Sequence, residues 1–117
     1  VAYGFIGNSL GYYYEIKYLA IGDDNTAVTA SDITLGNEVH RSYYVLRERS
    51  SQKIITTEFY ITDSEFNGTI EELGIFCGNE ASDTTDSGNL LSHVLWSYSK
   101  SSSEELLVQY VLTISTS

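Results

Sequence analysis

Between residues 53 and 62 the side chains fall into two interleaved sets, Ile55, Thr57, Phe59 and Ile61 against Ile54, Thr56, Glu58 and Tyr60. A two-residue period puts each set on its own face of an extended strand, whereas a helix would scatter both around its circumference. Similar patterning, rich in the β-branched and aromatic residues that suit a pleated surface, covers residues 13–22, 43–50, 69–76 and 90–98. Clusters of Gly, Asp, Asn and Ser at 22–25, 63–68, 78–89 and 99–103 separate these segments. Such turn-bounded strands predict an all-β fold, an antiparallel β-sandwich of about six to eight strands, rather than a parallel sheet with crossover helices. One short helical turn is allowed near 31–39, with Ser31 or Asp32 as N-cap, but Gly36 interrupts it and favours an irregular element. The last segment, 105–115, is apolar on both faces, with Leu106, Val108, Tyr110 and Leu112 opposed to Leu107 and Val111. That pattern predicts a central strand, or one covered by a partner chain.

Composition narrows the possible roles. A chain of 117 residues, 42% hydrophobic, suits one domain spanning residues 1–117, without room for a second core. Sixteen acidic against six basic residues give a net charge of −10, which repels phosphate backbones and anionic lipid. Nucleic-acid and membrane-surface roles are therefore disfavoured. No apolar run approaches the ~20 residues that a spanning helix requires. The single cysteine, Cys77, precludes an intrachain disulfide and a cysteine zinc cage, and fits synthesis in a cytosol. A start at Val1 without any methionine points to a processed chain or a segment of a longer one, and residues 1–11 lack the features of a signal peptide.

Residues that invite an enzymatic interpretation fail on geometry. Glu71 and Glu72 are adjacent, so on a strand they point to opposite faces and cannot flank one bond as a catalytic carboxylate pair. His40, His93 and Cys77 are widely separated, and a metal site would need all three to converge with a further ligand such as Glu38. Cys77, following Ile75 and Phe76, has the context of a small buried hydrophobe. Ser92 and His93 diverge for the same reason as the glutamates, and no Gly-x-Ser-x-Gly elbow is present. Acidic residues at 23–25 and 79–86 lack EF-hand spacing and read as solvated turns. Asn67-Gly68 reads as a turn rather than as a glycosylation acceptor. The expectation is a protein without catalysis, cofactor or metal.

Three motifs recur in a fixed order: Leu19-Ala20-Ile21-Gly22, then Leu35-Gly36-Asn37-Glu38-Val39-His40-Arg41, then Gly68-Thr69-Ile70-Glu71-Glu72-Leu73-Gly74-Ile75-Phe76. They are followed by Leu90 to Tyr98, then Lys100, then an apolar final strand. In this order the chain resembles the bacteriophage tail-collar fibre proteins over roughly residues 13 to 115. That resemblance implies a structural virion protein of the phage tail, an adaptor joining a tail fibre or receptor-binding protein to the baseplate or tail. It further implies a homo-oligomer, a trimer, bound to other tail, baseplate or fibre proteins. Asn37, Glu38, Arg41, Glu72, Gly74, Trp96 and Tyr98 are the expected motif and interface positions. Arg41 or Arg47 is expected to bond Glu38 or Glu72, with Glu72 bonding nearby backbone and Gly74 admitting a facing chain. The segment before Tyr12 lacks the family's Thr-x-x-Gly start, and the loop at 78–89 is long and acidic.

A different role is suggested by ten tyrosines and Trp96. Rigid amphipathic rings stack on sugars or anchor protein partners, so a carbohydrate- or receptor-binding module using Trp96 and exposed tyrosines is the alternative.

Overall fold

A computed structural model of the chain describes residues 16–51 and 54–113. Six strands form: β1 (Ile16–Gly22), β2 (Glu38–Ser51), β3 (Ile54–Ile61), β4 (Gly68–Cys77), β5 (Asn89–Lys100) and β6 (Leu106–Thr113). They join in one sheet of order β5-β4-β1-β2-β3-β6, every neighbouring pair antiparallel. The all-β class and the strand-bearing segments agree with the sequence, and no helix occurs among the described residues. Residues 31–37 form turns and bends rather than a helical turn. The run Tyr12, Tyr13 and Tyr14, and positions 114–115, lie outside the described residues.

Where a sandwich would have two separate sheets, this fold has one that bends back on itself at β2. The strand is long because it serves two neighbours in succession. Tyr43 and the residues before it pair with β1, and Tyr44 onward pair with β3. A strand that hands over between ladders in this way makes a corner. Beyond the corner, β6 faces β1 and β4, so that Leu19, Ile75, Val108 and Tyr110 line one small cavity of about 170 Å3.

The main core fills the inside of the bend. Ile16, Leu19 and Ile21 from β1, Phe59 and Ile61 from β3, and Ile70, Ile75 and Cys77 from β4 are buried there, with Leu106, Val108, Tyr110 and Leu112 packed against them. The alternation in β3 holds, since Ile55, Thr57, Phe59 and Ile61 are all buried. Cys77 is fully buried, as its context suggested.

A central position for the last strand is overturned. β6 pairs only with β3 and stands at one end of the strand order, with β5 at the other. Leu107 is 61% exposed and Val111 51% exposed, because the outer face of this edge strand has nothing laid over it among the described residues. The opposite half of the sheet differs. Segments 23–37 and 78–88 cover the outer face of β1 and β4, burying a second, smaller cluster of Ala20, Leu35, Phe76 and Ala81.

Candidate functional site

The covering segments are held by two carboxylates, and both owe their placement to breaks in strand register. Across β1 and β4, Gly22 is opposite Glu72, Ala20 opposite Gly74, and Tyr18 opposite Phe76. Opposed residues share a face, so this set points outward. By strict alternation Ile70 would point outward too, yet it belongs to the main core. The register between β4 and β5 shifts between Ile70 and Glu72, and that irregularity sends Glu72 to the outer side. A similar shift lies opposite Ile21 and Gly22, which places Glu38 against Gly22 and Arg41 against Ala20. Two residues three apart, destined by alternation for opposite faces, thereby share one.

Glu72 is 1% exposed. Its carboxylate lies over Gly22, where any Cβ would collide with it. Three backbone donors converge on its oxygens, the N–H groups of Gly36 (2.8 Å), Asn37 (2.8 Å) and Asp24 (3.2 Å), and the His93 ring nitrogen Nε2 lies 2.7 Å from Oε1. Both ends of the 23–37 segment are thus tied to one side chain. Asn37 closes the same junction, its Nδ2 donating to Asp23 Oδ1 (2.7 Å) while the Asp23 N–H donates to the Asn37 carbonyl (3.1 Å). The other ring nitrogen of His93, Nδ1, lies 2.9 Å from Asp32 Oδ2. Bonds from the Thr29 N–H and hydroxyl, and then from His93, hold the Asp32 carboxyl below its usual range. Asp24 is held low by the hydroxyl and N–H of Thr26.

Arg41 and Glu38 form the second clasp. Arg41 Nε and Nη2 donate to the two Glu38 oxygens at 2.6 and 2.8 Å, the two-pronged geometry that suits a guanidinium. Both side chains are out of solvent, 4% and 1% exposed. The guanidinium lies over the Phe76 ring, 4.5 Å from its centroid. Its Nη1 donates to the carbonyls of Ser82 (2.8 Å) and Ser87 (3.1 Å), and Glu38 also accepts the Asp86 N–H (3.0 Å). The pair therefore binds the 78–88 segment as Glu72 binds 23–37.

Five of the positions singled out in the sequence, Asn37, Glu38, Arg41, Glu72 and Gly74, gather on this outer face. The expected bond of Arg41 to Glu38 is present, whereas Arg47 bonds the Ile16 carbonyl (2.8 Å). Gly74 packs against Leu35 of the same chain, not another, and a Cβ there would strike Leu35 Cδ1. Trp96 and Tyr98 lie apart from the clasps on β5. Their rings stack with centroids 5.2 Å apart and planes 6° from parallel, and the Tyr98 hydroxyl donates to Glu104.

His93, Asp32 and Gly22 are the participants that sequence reasoning did not select. His93 is on the opposite side of its strand from Val94 and Trp96, as alternation requires, but only the pairing of β4 with β5 reveals that Glu72 is its neighbour. With its oxygens occupied by donors, Glu72 is arranged for tethering rather than for proton transfer to a substrate. His40 sits by Ser42 and Glu65, far from this set in the pattern of bonds. Among the described residues no three His, Cys, Asp or Glu side chains are grouped as a metal site.

A separate apolar cleft runs along the seam between the two free edges. Val94, Leu95 and Trp96 of β5 and Leu107 and Val108 of β6 line about 420 Å3 there. Neither β5, apart from His93 and Lys100, nor β6 carries an ionisable charge in its sequence other than the tyrosines.

No protein-family model matches the chain, and no curated protein matches it.

Proposed function

We propose that this domain is a structural adaptor of a bacteriophage tail, fastening a tail fibre or receptor-binding protein to the baseplate or tail through buried protein–protein contacts. The observation that supports this reading is the bare apolar seam. In a chain of net charge −10, the two free edges expose Val94, Leu95, Trp96, Leu107 and Val111, and the Glu58 carboxylate beside Leu107 and Val111 accepts a bond from Gln109 of β6 (3.1 Å). Free edges are ordinarily guarded by charge, proline or a covering element, and contiguous apolar surface marks sites of association. The motif residues have a different part to play. Asn37, Glu38, Arg41, Glu72 and Gly74 fix the shape of the domain, and the seam makes the attachment, including that to further copies in a trimer. Its place of work on this reading is the virion, after synthesis in the host cytoplasm.

The test is assembly. Electron microscopy of phage particles carrying a labelled chain should place it at the tail, and Leu107→Asp should leave a folded domain that no longer incorporates. A folded domain that is monomeric at all concentrations and absent from particles would refute the proposal.

One observation favours the second reading, a carbohydrate-binding module. Trp96 is 39% exposed and, with Tyr98, offers a stacked pair of rings of the kind sugars use. Saturable glycan binding lost in Trp96→Ala would support it and displace the adaptor role.

A further inference from the structure

Asn67 and Gly68 stand where the chain turns from β3 into β4, and both are exposed. Of the six asparagines in the chain, only Asn67 is followed by glycine. A glycine in that place brings no Cβ to obstruct the approach of its backbone nitrogen to the asparagine Cγ. Gly68 has φ +147°, and beyond its chain neighbours a Cβ built there would meet nothing nearer than the Phe66 ring at 3.5 Å. The space around the junction is open. The Asn67 amide is oriented from both ends: Lys100 Nζ donates to its Oδ1 (3.1 Å), while its Nδ2 donates to the Asp63 carbonyl (3.2 Å). An ammonium only donates and a carbonyl only accepts, so these partners by themselves distinguish the amide oxygen from the nitrogen. Lys100 is 3% exposed and joins no ion pair among the described residues. Its other bond goes to the Ser101 carbonyl (3.4 Å), and the Glu104 carboxylate across that turn takes the Tyr98 hydroxyl and the Ser101 N–H instead. We propose that Asn67 is a self-modifying site, converted to aspartate and isoaspartate by ring closure onto Gly68, with Lys100 stabilising the oxyanion through which the reaction passes.

The Gly68 amide nitrogen gives up its proton to solvent base and bonds Asn67 Cγ, and the electron pair of the Cγ–Oδ1 double bond moves onto Oδ1. That oxygen is the atom which Lys100 already faces. A donor held in place where negative charge develops lowers the barrier without having to reorganise, and a buried ammonium is screened little by water. Collapse of the intermediate breaks the bond from Cγ to Nδ2, and the nitrogen leaves as ammonia with a proton taken from water. The succinimide that remains is opened by a water molecule at either of its carbonyls, one giving aspartate and the other isoaspartate. Water is the only co-reactant, and the exposed turn admits it. Gly68 is the first residue of β4, so ring closure disturbs the ladder only at its end.

The experiment is peptide mapping by mass spectrometry on the folded protein, aged in mildly alkaline buffer, which follows the loss of each amide separately. Asn67 should convert well before Asn25, which is exposed too but precedes Thr26. Lys100→Met keeps an apolar stem in the buried position and removes the donor. In that variant conversion at Asn67 should slow roughly tenfold, the scale of one charge-assisted bond, with Asn25 unchanged. Equal rates at Asn67 in the wild type and in a folded Lys100→Met protein would overturn the proposal. So would an Asn67 that stays intact in the folded wild-type protein while a free peptide of residues 63–70 converts, a result that is read without any variant.

Discussion

The two halves of the sheet are built from the same kind of strand and finished in opposite ways. On the β5-β4-β1 side the outer face lies under two irregular segments, each bolted by a buried carboxylate. On the β2-β3-β6 side the outer face is open, and Tyr43, Val45, Leu46, Leu107 and Val111 are all exposed. Strand patterning alone does not set how a sheet face is finished. Covering a face with loops requires that their backbone N–H groups find partners, and here Glu72 and Glu38 provide them. In the other half the outer carboxylate of Glu58 bonds the Gln109 side chain rather than a covering segment, and the apolar surface stays available.

The comparison can be broken most severely at Glu72. Glu72→Ala strips three backbone N–H groups of their acceptor and His93 of its partner, and denaturant melts should show a loss of about 3–5 kcal/mol, with the 23–37 amides exchanging first. Equal loosening of both covering segments would mean that they are not separately held. Arg41→Ala should come next, at about 2–4 kcal/mol, because it leaves the buried Glu38 carboxylate short of its cation. In that variant exchange should accelerate at 78–88 and change little at 23–37. Gly74→Ala is expected to cost about 1–3 kcal/mol by forcing Leu35 aside, an overpacking effect that a melt would register without any change in pH response. The smallest effect on stability belongs to the bare half. Val111→Asp should shift the melt by no more than about 0.5 kcal/mol, while sedimentation should show any self-association reduced.

Acid sharpens the contrast between the covering segments. Asp24 and Asp32 are both held below their ordinary value of 3.8, so the folded state prefers them ionised. Their contribution is complete above that value and disappears as pH falls through the lower folded values. Exchange measured below about pH 4 should therefore loosen 23–37. Constant protection at 23–37 down to pH 2 would contradict the assignment of these bonds.

Much of the sheet was legible because burial repeats every two residues. Ile55, Thr57, Phe59 and Ile61 declare both the strand and its inward face. Glu38, Arg41, Glu72 and Gly74 stood out as positions, and the Arg41–Glu38 bond could be anticipated from charge. What stayed hidden depends on register. Alternation assigns Glu38 and Arg41 to opposite faces and gives Ile70 and Glu72 the same one, and in both cases a local shift reverses the result. Such shifts leave no reliable mark on the letters, because they are fixed by how distant strands meet. The edge position of β6 was illegible for a related reason. Leu107 and Val111 would look the same under a neighbouring layer or in open water, and only the strand order distinguishes the two. His93 was weighed as a metal ligand and not as a tether, because its partners are two carboxylates 21 and 61 residues away.

Arg41 grips the carbonyls of Ser82 and Ser87, and Glu38 holds the Asp86 N–H beside them. The spacing of that tip is consequently maintained from below, and of the exposed residues 83–85 that span it Thr84 adds main-chain bonds, its carbonyl accepting the Ser87 N–H (3.1 Å) and its N–H donating to Ser82 Oγ (3.2 Å). A foreign peptide grafted into that tip would give up the two Thr84 bonds but still enter and leave at points anchored from below, so the domain could display it without renegotiating its interior.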